Sequence, residues 1–153
     1  MPSELNMPPP IQTGHLDSYG HPAIKIAVYG VAEAAQQQFE AIIDTGFTGF
    51  LMMPLSSAYS LTLTLMGTAN YELADGSICS KLLAHGSVTL EDEVVSGVIT
   101  LEERNDCVLL LGMDFLRKAQ RALWVHESGM SLVHDDFVDQ LNRTLTAIHD
   151  KYS

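Results

Sequence analysis

Between positions 23 and 133 apolar residues come in short runs or strict alternation, interrupted at close intervals by Gly, Pro, Asn and Asp. A period of two with frequent turn signals predicts an all-β sandwich or barrel. The predicted strands cover 24–29, 39–43, 50–53, 61–65, 71–73 running on into 78–83, 86–90, 94–101, 107–111, 122–126 and 130–133. Positions 33–38 have helical propensity but are too few to hold a helix, and read as a loop. Pro54 sits in the favoured first position of one helical turn, and a short helix is expected from Asp114 through Gln120. The clearest helix is the last. Asp135 or Asp136 can cap it, and Phe137, Leu141, Leu145, Ile148 and Tyr152 recur on one face. Residues 1–22 are rich in Pro, Gly and small polar side chains, with Pro8-Pro9-Pro10 extended, and read as an irregular arm. The expected organisation is therefore an arm (1–22), a β domain (23–134) and an amphipathic helix (135–153) packed on the domain or on a dimer.

Composition narrows the function classes. The 153 residues carry 8 Lys+Arg against 19 Asp+Glu, a formal charge of −11, with 46% apolar residues. That apolar share suits one folded core rather than a disordered acidic tail. So few basic residues argue against a nucleic-acid surface, which needs clustered Lys and Arg to neutralise phosphates. No apolar run approaches the ~20 residues of a membrane span, and the start MPSELNMPPP lacks the basic flank and apolar core of a signal peptide. The expectation is a cytoplasmic protein with neither nucleic-acid nor membrane partner. The two cysteines, Cys79 and Cys107, make no disulfide framework, and Cys79 reads as a small buried thiol.

The segment that carries chemistry is Ala41-Ile42-Ile43-Asp44-Thr45-Gly46. A carboxylate directly after buried-type residues is expected at a strand end in a partly buried site. Asp-Thr-Gly by itself also suits an Asx-type turn. Two further segments add to it. Ala74-Asp75-Gly76-Ser77, between alternating runs, is a strong signal for a tight hairpin. Leu109-Leu110-Leu111-Gly112-Met113-Asp114 is an apolar strand that ends in Gly and opens a helix.

In this order the three segments resemble the retropepsin-like aspartic proteases, from about Ile24 to Val133. The resemblance implies a small closed barrel with a short helix after Gly112, to which this chain adds its terminal helix. It also implies that Asp44 is the catalytic aspartate, that Thr45 hydrogen-bonds across a dimer axis, and that Gly46 permits close backbone approach. Gly112 would lie behind the active-site loop, and Ala74, Asp75, Gly76 and Ser77 would form the flap over an extended peptide. In such enzymes two aspartates share a proton and activate one water, without cofactor or metal. There is no second Asp-Thr-Gly, and the chain is too short for two lobes, so the implied unit is a homodimer with Asp44 from each copy. The sequence departs from the retroviral pattern at Thr48 and Met113, where an acidic residue and an Arg form an ion pair that braces the dimer. The implied activity is an aspartic endopeptidase. The alternative is a non-catalytic dimeric β-barrel that binds peptides or proteins.

Other constellations are weaker. None of the six histidines pairs at a common metal-ligand spacing. His15, Asp17, Ser18 and His21 look like pieces of a nucleophilic triad but lack the strand-turn-helix setting of such a serine.

Overall fold

The structure, a computed structural model, describes residues 11–91 and 93–153; Pro8-Pro9-Pro10 lies outside them. The described residues form ten strands: β1 (Ile11–Leu16), β2 (Pro22–Tyr29), β3 (Gln37–Ile43), β4 (Leu51–Pro54), β5 (Thr64–Glu72), β6 (Ile78–Leu90), β7 (Glu93–Glu102), β8 (Leu109–Leu111), β9 (Arg121–His126) and β10 (Gly129–His134). Among the described residues three α-helices join them: α1 (Leu55–Ala58), α2 (Met113–Lys118) and α3 (Asp135–Tyr152). The strands run in the order β5-β6-β7-β4-β8-β3-β2-β1-β10-β9. A further antiparallel pairing of β2 with β6 closes β6, β7, β4, β8, β3 and β2 into a six-stranded barrel. The all-β barrel expectation is thus met.

Alternation explains the barrel wall. In β2, Ile24, Ile26 and Val28 point into the core while Lys25 faces outward. Phe50, Leu51, Met53, Ile99, Leu111 and Phe115 fill the centre, with the Phe50 and Phe115 rings tilted at 5.7 Å between centroids, a favourable aromatic geometry. This places the core directly behind the ends of β3 and β8.

Three local expectations change. The reading of 1–22 as an irregular arm fails at Ile11–Leu16, which forms β1, paired antiparallel with β10 and then with β2. Gly14 in this segment answers a packing demand, because a Cβ there would strike the Ala23 carbonyl oxygen and Met130 Sδ. Positions 78–83 and 86–90 form one strand, β6. Gly86 does not break it; a Cβ there would lie 2.7 Å from both Ile99 Cδ1 and Leu63 Cδ2. The cap of α3 is His134, whose Nδ1 accepts from the Asp136 N–H at 3.1 Å, while Asp135 and Asp136 occupy the first turn. α3 touches β9 and β10, yet none of its residues is buried.

Candidate active site

Asp44 follows β3 immediately, and the backbone around it is fixed from two sides. β3 runs parallel to β8 in the register Ala41–Leu109, Ile42–Leu110 and Ile43–Leu111, and the Asp44 N–H donates to the Leu111 carbonyl at 2.9 Å. On its other edge β8 pairs with β4, which begins just after the loop that carries Asp44. The loop is then stitched to the start of α2. Gly112 N–H donates to Phe50 O (3.1 Å), Met113 N–H to Phe47 O (2.8 Å) and Asp114 N–H to Gly49 O (3.1 Å). These bonds occupy backbone groups that the loop could not otherwise satisfy away from water.

Gly112 lies directly behind this loop. A Cβ there would fall well inside contact distance of Gly49 O, and 2.5 Å and 2.7 Å from Phe47 O and Cδ2. Its φ of −104° suits any residue, so the demand is for space alone. Gly46 is under less pressure: the nearest atom to a Cβ would be Asp44 Oδ1, at 3.1 Å.

The Asp44 carboxylate is half-buried. Its Oδ1 accepts from the Gly46 N–H at 2.9 Å, which fixes the side-chain torsion. Among the described residues Oδ2 receives no hydrogen bond, and the group faces an open depression of about 350 Å³ lined by His21, Pro22, Ile42, Thr45, Val108 and Leu110 among others. Such a carboxylate has one oxygen held and the other free to act on a water or a carbonyl. Thr45 and Thr48 are exposed on the same loop, and Met113 is partly exposed.

The hairpin at positions 74–77 forms the tip between β5 and β6. Leu73 N–H donates to Ser77 O (2.8 Å), and Gly76 N–H to Leu73 O (2.9 Å). Gly76 has a φ of +84°, a left-handed conformation that glycine adopts without steric cost. Asp75 Oδ1 accepts from both the Ser77 N–H (2.8 Å) and its hydroxyl (2.5 Å), and these bonds hold the Asp75 carboxyl below its ordinary pKa. Nearly the whole of β5 is exposed, and Tyr71 and Ile78 are too, so neither is a core residue. None of the hairpin residues lines the depression at Asp44. Cys79, read as a buried thiol, is only half-buried and sits in this hairpin opposite Tyr71.

The depression has walls that the sequence pattern did not single out. Val108 and Leu110 alternate with the buried Leu109 and Leu111, so an unbroken apolar run on a strand that leads into Gly112 was the available signal. His21 and Leu123 come from distant segments; Leu123 carried no signal, and His21 stood out only among the triad-like pieces. The triad-like pieces are not assembled as one: His15 pairs with Glu40 at 3.1 Å, and Asp17 accepts the backbone N–H groups of Tyr19 and His21, closing a turn. Those backbone bonds, with His21 beside it, hold the Asp17 carboxyl below its ordinary pKa. Among the described residues no three His, Cys, Asp or Glu side chains gather as a metal site, and no helix is long and apolar enough to cross a membrane.

Comparison with solved structures gives the fold directly. A retropepsin-like aspartic protease from Rickettsia conorii superposes with a TM-score of 0.58 at 15% identity, covering 81% of this chain and 89% of that one. EIAV protease, complexed with the inhibitor HBY-793, superposes with a TM-score of 0.51 at 11% identity, covering 66% and 89%. No protein-family model matches the sequence, and no curated protein matches it. With the closed barrel, the Asp44 loop locked behind by Gly112 and these two neighbours, the chain has the retropepsin-like fold.

Proposed function

We propose that the chain is an aspartic endopeptidase whose active unit is a homodimer, with Asp44 of each copy forming the catalytic pair. The observation that supports this most is the Asp44 carboxylate itself: one oxygen held by the Gly46 N–H, no described partner for the other, on a loop tied to β8 and α2. Two such groups facing each other across a twofold axis cannot both be ionised at short range, so they share a proton and titrate as a pair. The ionised member takes a proton from a water held between them, and the resulting hydroxide adds to the scissile carbonyl carbon. The protonated member donates to the carbonyl oxygen. Collapse of the tetrahedral adduct expels the amine, which leaves with a proton supplied by the pair. No acyl-enzyme forms. Thr45 reaches across the axis to steady the two loops, and the hairpin bearing Ala74, Asp75, Gly76 and Ser77 closes over an extended peptide to exclude water. No cofactor or metal takes part. Thr48 and Met113 supply no ion pair to the dimer, which is held by other contacts.

The test incubates the purified chain and its Asp44→Asn variant with a diverse peptide pool between about pH 4 and 7, the range of a shared-proton carboxylate pair. Cleavage by the wild type and none by the variant is expected. Cleavage that survives in the variant overturns the mechanism, and a dimer that cleaves nothing in either form points to a peptide-binding barrel instead.

A further inference from the structure

α3 carries an apolar stripe that its own chain covers only near its start, where Val138 is half-buried and the helix touches β9 and β10. Leu145 is 55% exposed and Tyr152 77%, in a helix without a single buried residue. The spacing is more specific than a general amphipathic pattern. Val138, Leu141, Leu145, Ile148 and Tyr152 follow one another at intervals of three, four, three and four, the a and d positions of a two-stranded coiled coil. A helix that merely lies on a barrel needs a broader face and no such regularity.

The helix ends identify the occupant. Asp135 and Asp136 occupy the first turn, and the last holds His149, Asp150 and Lys151. A parallel pair would set acid against acid. An antiparallel pair instead sets the acidic first turn of each helix beside the other's last turn, where His149 and Lys151 lie with a single carboxylate, Asp150, and opposes their dipoles favourably. In that arrangement layers of a against d run through the seam symmetrically, so a single surface serves both partners, as an isologous contact requires.

We propose that α3 is a homotypic pairing helix, docking antiparallel on α3 of a second copy of this chain with Val138 against Ile148, and Leu141 against Leu145, across the twofold. Asp135 of one copy then flanks His149 of the other, and Arg143 faces solvent. The seam hides on the order of 400 Å² per copy, about half of what a stable interface buries on each side. It therefore strengthens a dimer that has further contacts, and in this respect it rests on the homodimer proposed above.

Two measurements test it. Sedimentation of the full chain and of a Leu141→Glu, Leu145→Glu double variant reads the dimer constant, with circular dichroism confirming that both are folded. The variant is expected to dimerise about 100-fold more weakly. In a Cys79→Ser, Cys107→Ser background, chains bearing Leu141→Cys are mixed with chains bearing Leu145→Cys under mild oxidation, and a disulfide between unlike chains is expected. A wild-type dimer matched in strength by the double variant, with no mixed disulfide, overturns the pairing and leaves the Asp44 dimer standing. A wild-type chain that stays monomeric and forms no mixed disulfide overturns both. A mixed disulfide in a chain that fails the Asp44→Asn cleavage test upholds the pairing and overturns only the catalytic reading.

Discussion

Replacing Gly112 by alanine tests whether the loop behind Asp44 is held by close packing. The backbone at this position is compatible with alanine, so the change is purely one of volume. The added Cβ would meet two carbonyl oxygens, of Gly49 and Phe47, and the edge of the Phe47 ring. Both oxygens are already engaged, accepting from Asp114 and Met113. Relieving a 2.5 Å approach to an ordinary carbon–oxygen contact needs a shift of about 1 Å, which stretches both hydrogen bonds past useful length. At about 1 kcal/mol for each bond, plus a similar amount for repacking Phe47, the loss comes to about 2–4 kcal/mol. For a domain of this size that lowers the melting temperature by roughly 5–15 °C. Urea unfolding and calorimetry read the stability, and cleavage of a peptide pool reads the site. Gly46→Ala is the matched control: its Cβ approaches only the Asp44 side chain at 3.1 Å, so stability is expected to change by less than about 0.5 kcal/mol. Stability of Gly112→Ala within about 0.5 kcal/mol of wild type would refute the reasoning.

Two further predictions concern ion pairs away from the loop. Arg121 is buried, donating to Gln12 Oε1 (3.1 Å) and Ala119 O (2.9 Å) and pairing with Glu93; Arg121→Met strands these acceptors and should cost about 2–3 kcal/mol in urea unfolding, with Arg121→Lys losing less. The hydrogen bond from Lys81 holds the Glu102 carboxyl below its ordinary pKa of 4.5, so the unfolded chain binds a proton there more readily than the folded one. That contribution is complete above the unfolded value and is lost as pH falls towards the lowered folded one. Stability measured from about pH 6 down to 3 should therefore fall less steeply in Lys81→Met than in wild type, and equal slopes would remove the pair from the acid response.

Much of the sheet was legible because a strand with one buried face must alternate, and β2, β3, β7, β9 and β10 do so or run apolar throughout. Asp44, Gly112 and the Asp75-Gly76 turn were legible for a different reason: each is a residue type that a neutral position would seldom select. Glycine misled elsewhere. Gly14 read as part of a Gly-rich arm, yet it is a glycine because the Ala23 backbone and the Met130 side chain occupy the space of a Cβ. Sequence pattern does not distinguish a glycine chosen for a turn from one chosen for a close contact.

The sequence by itself therefore determined the class of fold, the strand-end position of Asp44, the turn chemistry of the hairpin and the amphipathic character of the last helix. These depend on residues a few positions apart, where periodicity and backbone preference act. Only the tertiary structure decided that residues 11–16 join the sheet, that His21 and Leu123 wall the depression at Asp44, and that α3 keeps most of its apolar face uncovered. Each of those depends on which distant segments meet. Pairing between β1 and β10 spans almost the whole chain, and such contacts arise from the topology of the whole sheet rather than from any local pattern.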